Sequence, residues 1–261
     1  MKVISLCPSN TELCATLQIE NLLIGVDDYS DYPESIQSLP RLGPDLSINM
    51  DQVEALQPDL VLASLSVPGM EKNVAELERR GIPHLVLNPN SLQEIAEDLI
   101  IVGEALGIAD KAKEQASLFL AEIEKYRSIS NSIMDKKKLY WEWWPNPLFT
   151  PGGKNWLTEI SELAGGRNIF DTIDVASAQV QHSDVIQRNP DYILLAWVGV
   201  AQHRVKPELV LKREGWEQIT AIQTGNINIM EEHLYCRPSP RLLEGLKKLA
   251  NLLHPDQFSD S

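Results

Sequence analysis

The residues able to do chemistry are few and scattered along the chain. His233, Cys236 and Arg237 are neighbours, and a thiol beside a guanidinium could be an activated nucleophile. A small cysteine in a loop is the plainer reading. His182 and Asp184 have the spacing of two metal ligands, but no third ligand accompanies them. Gly-x-Ser-x-Gly, Walker, Gly-x-Gly-x-x-Gly and His-Glu-x-x-His patterns are absent. No catalytic residue is assigned, no metal site is expected, and an enzyme is not. The aromatic residues say more. All six tryptophans follow residue 140. Aromatic rings at strand ends offer flat apolar platforms with polar edges, which suit a large planar ligand better than an ion. Trp141 and Trp156 are set aside, because burial of a strand or helix face explains them.

The elements that must position these residues alternate. Lys2 to Leu6 reads as a short buried strand, broken by Cys7-Pro8-Ser9-Asn10. A helix is expected from about Thr11 to Leu17, with Ser9 or Asn10 as its cap. Gly25 to Asp28 reads as a second strand, followed by the loop Tyr29 to Pro33. Met50 to Leu56 reads as a helix before Pro58-Asp59 and the apolar run Leu60 to Ala63. Another strand covers His84 to Leu87, and a long amphipathic helix covers Leu92 to Leu106. Strands alternating with helices imply an α/β lobe with a mostly parallel sheet.

From Asp110 to Ser128 the apolar residues Ala112, Ala116, Phe119, Ile123 and Tyr126 fall on one helical stripe. Lys111, Lys113, Glu114, Glu122, Glu124, Lys125 and Arg127 occupy the other face, and Asp110 can cap the start. The pattern then restarts. Leu139 to Trp144 is a strand, Phe149 to Gly153 a turn, and Trp156 to Leu163 a helix. Pro190-Asp191 introduces Tyr192 to Ala196, as Pro58-Asp59 introduces Leu60 to Ala63. The fold class is therefore α/β. Two Rossmann-like lobes with mostly parallel sheets, 1–109 and 136–261, are joined by a rigid linker helix within 110–135. Open α/β sheets bind ligands beyond the carboxyl ends of their strands, so the expected site is a cleft between the lobes. The strand-end candidates are Pro8, Ser9, Asn10 and Tyr29 in the first lobe. In the second they are Trp144, Phe149, Trp197, His233, Leu234, Tyr235, Cys236 and Arg237.

Composition sets outer bounds. The chain has 261 residues, 43% of them hydrophobic, which is enough for one large or two small cores. A net charge of −14 argues against a nucleic-acid or anionic-membrane partner engaged through a general positive surface. Three cysteines without a Cys-x-x-Cys pair argue against a disulfide framework. Met1-Lys2 leads straight into a strand with no signal peptide, so a cytoplasmic protein is expected. A periplasmic or extracytoplasmic one is the alternative if an export segment has been removed.

The sequence resembles the cobalamin-binding members of the substrate-binding proteins that serve vitamin B12 and iron-siderophore ABC importers. The resemblance covers nearly the whole chain. Its carriers are Ser5 to Glu12, Gly25 to Pro33, Leu56 to Ala63, Asn146 to Gly152, Leu163 to Phe170 and Arg237 to Arg241. It implies the class III periplasmic-binding-protein type of fold, with the long helix bridging the lobes. It implies a non-enzymatic monomer that holds cobalamin or a related corrinoid as ligand, with no cofactor of its own. It also implies an ABC importer permease as partner and ligand contacts from Tyr29 and from His233 to Arg237. The family's importer-docking glutamates lie seven residues before the Pro of each Pro-Asp. Here those positions hold Asp51 and Ser183, with Asp184 one place along. A ferric siderophore or haem carrier, and an intracellular corrinoid-handling enzyme centred on Cys236 and His233, are the alternatives.

Overall fold

In the first half, the short apolar runs become parallel strands and the segments between them become crossover helices. The structure is a computed structural model and describes residues 1–259. One unit comprises Met1–Leu120 with Pro238–Pro240; the other comprises Ala121–Arg237 and the chain from Arg241 onward. In the first unit β1 (Val3–Ser5), α1 (Pro8–Thr16), β2 (Leu23–Val26), α2 (Met50–Ala55), β3 (Leu60–Ser64), α3 (Glu71–Arg80), β4 (His84–Leu87) and α4 (Leu92–Ala105) follow in turn. The four strands form a parallel sheet in the order β2-β1-β3-β4. Every residue of β3 is buried, as a central parallel strand covered on both faces must be.

Helix α5 (Ala109–Ser130) carries the chain onward. All five residues of its expected apolar stripe are buried. On its exposed face Lys125 pairs with Glu122 and Arg127 with Glu124. Asp110 lies inside the first helical turn rather than at a cap position. A Cβ on Gly103 of α4 would sit 2.1 Å from the Ala112 Cβ, so the absence of a side chain there is what lets α4 approach α5.

The second unit contains β5 (Lys137–Glu142), β6 (Trp144–Pro145), β7 (Leu148–Pro151), α6 (Trp156–Leu163), β8 (Gly166–Asn168), β9 (Ser177–Val180), α7 (His182–Arg188) and β10 (Tyr192–Leu195). It continues with α8 (Glu208–Leu211), α9 (Thr220–Gln223), β11 (Ile227–Ile229), α10 (Glu232–Tyr235) and α11 (Leu242–Leu253). Its parallel sheet runs β11-β10-β5-β8. Read from the other edge, this is the plan of the first sheet, with β5 and β10 standing where β1 and β3 stand.

The repeated Pro-Asp has a physical role in that plan. Asp59 N–H donates to Lys2 O at 2.8 Å, and Lys2 N–H donates to the Asp59 carboxylate at 2.7 Å. In the second unit Asp191 N–H donates to Lys138 O at 2.8 Å, and Lys138 N–H to the Asp191 carboxylate at 2.8 Å. The same reciprocal pair therefore fixes the start of the central strand against the first strand in both units.

Two further expectations are corrected. Helix α1 begins at Pro8, whose missing N–H costs nothing in a first turn, and its N-cap is Cys7. Ser9 and Asn10 are thus helical residues, not caps. Phe149 to Pro151 is strand rather than turn: β6, β7 and β9 form a small antiparallel sheet. Pro151 ends that strand, where its missing donor is tolerated.

Two tests follow from these contacts. Asp59→Ala and Asp191→Ala each remove a charge-assisted bond to a strand amide and should each lower unfolding free energy by about 1–2 kcal/mol in denaturant melts. Asp98 on α4 is buried, its Oδ2 has no hydrogen-bond partner, and burial, reinforced by Glu94 and Glu97, pushes its pKa up to about 7. A carboxyl group that ionises less readily folded than unfolded loses stability as pH rises from about 4, its unfolded pKa, towards 7. Asp98→Asn should therefore raise Tm at pH 8 and leave it nearly unchanged at pH 4. An equal shift at both pH values would contradict this.

Candidate ligand-binding site

At the carboxyl ends of the first unit's strands, small polar side chains are buried and tied to the backbone. Pro8, Ser9 and Asn10 are all buried. Asn10 Nδ2 donates to Ala63 O at 3.0 Å and so fastens α1 to the end of β3. Ser9 Oγ lies 3.3 Å from Cys7 Sγ, and burial pushes the Cys7 thiol's pKa up. Glu12 is buried and its carboxylate accepts a hydrogen bond from the Ser239 hydroxyl of the Pro238–Pro240 segment of this unit. Just past β2, the wholly buried Asp27 precedes Tyr29, which is 52% exposed. A depression of about 450 Å³ on this unit is lined by Pro40, Arg41, Leu42, Gln52, Ala55 and Leu56.

In the second unit the organising group is Glu142, at the end of β5 and wholly buried. Its carboxylate takes Arg213 Nη1 at 2.5 Å and Nη2 at 2.9 Å, Tyr140 OH at 3.1 Å and Trp197 Nε1 at 3.1 Å. The Arg213 guanidinium also lies 4.4 Å from the Trp216 ring centroid. A buried carboxylate is tolerable only with such a full set of partners. Burial and the nearby Glu142 push the Tyr140 phenol's pKa well up, so it stays a donor. This cluster holds the Trp197 indole just past β10 and draws it into the core, so the sequence expectation of Trp197 as a displayed platform is corrected.

The remaining candidates divide. Trp144 is 44% exposed and sits directly opposite the half-buried Phe149 across β6 and β7, so the two rings share one face. Leu234 and Tyr235 turn into the core instead. Tyr235 OH donates to Gly245 O at 2.9 Å, and its ring centroid lies 5.2 Å from that of Trp141. Cys236 Sγ donates to Ala196 O at 3.4 Å, and burial holds its pKa well above the usual thiol range, the opposite of an activated nucleophile. Arg237 pairs with Glu232 at 3.3 Å, and His233 is half-buried. The structure thus brings Trp144, Phe149, Trp197 and Cys236 to one end of the second unit's sheets. In the first unit it brings Ser9, Asn10 and Tyr29 together in the same way.

The two docking candidates differ. The Asp51 side chain is 87% exposed, although it pairs with Arg80 at 2.8 Å. Asp184 accepts from Gln181 N–H at 2.9 Å as half of a capping box on α7, while Ser183 is exposed. His182, in the same helical turn, has its pKa lowered by partial burial and by Arg213. Among the described residues no group of three His, Cys, Asp or Glu side chains could hold a metal ion.

Sequence reasoning missed Glu142, Arg213 and Asp27. Glu142 and Arg213 are 71 residues apart, and nothing local marks either as a partner. Asp27 lay within the Gly25 to Pro33 motif, but its burial is a tertiary fact.

Two α/β units of one plan, with buried polar anchors at the strand ends, have the architecture of periplasmic binding proteins. Residues 3–234 match the model of the periplasmic binding protein family, and the chain belongs to that family. It is 29% identical over 266 residues to an uncharacterized ABC transporter substrate-binding lipoprotein, YvrC, of Bacillus subtilis, covering 99% of this chain and 82% of that one. It is 29% identical over 258 residues to a vitamin B12-binding protein of Yersinia pestis, covering 95% and 84%. Among solved structures, the periplasmic vitamin B12 binding protein of Vibrio cholerae superposes with a TM-score of 0.79 at 22% identity, covering 100% and 98%. A possible iron-binding (periplasmic solute-binding) protein of Staphylococcus epidermidis superposes with a TM-score of 0.82 at 25% identity, covering 97% and 98%. These relatives give no support to the cytoplasmic expectation and fit the extracytoplasmic alternative.

The buried cluster yields a test. Glu142→Gln leaves Arg213 charged and unmatched, and should cost about 3–5 kcal/mol in unfolding free energy. Replacing both residues by methionine removes both charges and should cost much less. Equal losses in the two variants would contradict the assignment of a buried ion pair.

Proposed function

We propose that this chain binds cobalamin or a related corrinoid, as a monomer outside the cytoplasm, and presents it to the permease of an ABC importer. The observation that carries the reading is the likeness to vitamin B12-binding proteins over 95% of the chain. The ligand would meet strand-end loops, with Tyr29, Trp144 and Phe149 offering aromatic surface. Several hundred Å² of apolar contact, at about 25 cal/mol per Å², offsets much of the cost of association. The arginines add support. Arg41 donates to backbone carbonyls, Arg213 holds Glu142 and Arg237 pairs with Glu232, so these cations are engaged within the chain. That favours a ligand edged with neutral amides over a multiply anionic chelate. Asp51, by its exposure, is the better placed of the two docking candidates to meet a basic partner; the Asp184 carboxylate is already occupied by its capping bond.

A second reading, a ferric siderophore or haem as cargo, is favoured by the likeness to the Staphylococcus epidermidis protein. Equilibrium titration separates the two. On the corrinoid reading, cobalamin binds saturably at micromolar concentration, with a shifted visible spectrum if cobalt ligation changes, and haem does not displace it. Absence of saturable cobalamin binding, with saturable binding of haem or a ferric siderophore, would replace the first reading by the second.

A further inference from the structure

The loop after β2 is fastened from beneath over Asp27 to Ser30, yet it holds the Tyr29 ring out into solvent; Tyr32, further along, is exposed as well. Asp27 N–H donates to Ser5 O at 3.1 Å, which pins the start of the loop to β1. The Asp27 carboxylate is wholly buried, and each of its oxygens faces the loop. Oδ2 accepts from Tyr29 N–H at 2.8 Å and Oδ1 accepts from Ser30 Oγ at 2.5 Å. Ser30 Oγ is itself 2.7 Å from Thr11 Oγ1, so α1 buttresses the far side. Arg41 Nη1 closes the loop from its open edge, donating to Asp27 O at 3.2 Å and to Ser30 O at 2.5 Å. Asp28 and Gly43 exchange a second pair of bonds at 2.9 and 3.1 Å.

A loop that merely joined two elements would gain little from burying a carboxylate, since burial of a charge is costly unless every lone pair is used. Here the carboxylate is spent on the main chain and hydroxyl either side of Tyr29. We propose that Asp27, with Ser30 and Arg41, is the positioning set for Tyr29, holding its ring in the geometry that meets the ligand. The inference rests on the reading of Tyr29 as a ligand contact and deepens it. Preorganisation of this kind improves affinity because the loop no longer has to be ordered on binding. None of the three residues need touch the ligand.

The test uses Asp27→Asn and Ser30→Ala, each alone and with Tyr29→Ala, in the full chain. Two quantities are read: amide hydrogen exchange of residues 28–32 without ligand, and cobalamin affinity. Exchange should quicken and affinity should weaken, each by about tenfold, in the single variants. In the Tyr29→Ala background the affinity should weaken no further, because the two changes act through one ring. Unchanged exchange would overturn the proposal, and so would an equal loss of affinity in the Tyr29→Ala background, which marks a general structural role. Should Asp27→Asn fail to fold, Ser30→Ala decides alone. Should the parent protein bind no cobalamin, the corrinoid reading fails, and the exchange result alone decides whether the loop is clamped as described.

Discussion

In each unit two hydrogen bonds between an aspartate and the first strand set the register of the central strand pair. Asp59 and Lys2 make them in one unit and Asp191 and Lys138 in the other. Pro58 and Pro190 stop the preceding segment from running on, and the aspartate that follows captures the neighbouring strand. Once that pair is aligned, parallel crossovers place the carboxyl ends of both strands along one edge of the sheet. Everything read here as a binding surface lies beyond that edge. The short repeated dipeptide therefore governs where the variable loops emerge, although it touches none of them.

What happens at the edge is governed by a second constraint, the cost of burying charge. Asp27 and Glu142 stand at or just past the ends of β2 and β5, and both are wholly buried. Each is tolerable only because it is fully engaged, and each engages a segment that carries an aromatic ring. Asp27 grips the loop of Tyr29; Glu142 grips the Trp197 indole and, through Arg213, the segment that returns from β10. The outcomes differ: Tyr29 is left exposed, whereas Trp197 is drawn into the core. The antiparallel β6-β7-β9 sheet adds a second display, with Trp144 beside Phe149. An exposed ring on a loop held by a buried carboxylate, as at Tyr29, suits a large, flat, rigid ligand.

Much of the architecture was legible because it depends on local pattern. The stripe from Ala112 to Tyr126 repeats every three or four residues and is buried at all five positions. The apolar run after Pro58-Asp59 became a fully buried central strand for the same reason. The reading failed where two local rules competed. Ser9 and Asn10 are good caps, but Pro8 is an equally good first helical residue, and the helix began there. Pro151-Gly152-Gly153 is a turn signal that masked a strand ending at Pro151. The site was legible only in outline. Tyr29 and Trp144 are exposed where strand ends were expected, yet Leu234 and Tyr235, neighbours of Cys236 in sequence, face the core. Glu142 could not be found at all, since its meaning depends on Arg213 far along the chain.

The central proposal is that the exposed rings at the strand ends, Tyr29 and Trp144 with Phe149, meet the ligand. A crystal structure of the protein loaded with cobalamin tests it most directly. The account predicts the corrin in van der Waals contact with the exposed rings, Tyr29 and Trp144 among them. A corrin that touches none of these rings would contradict it.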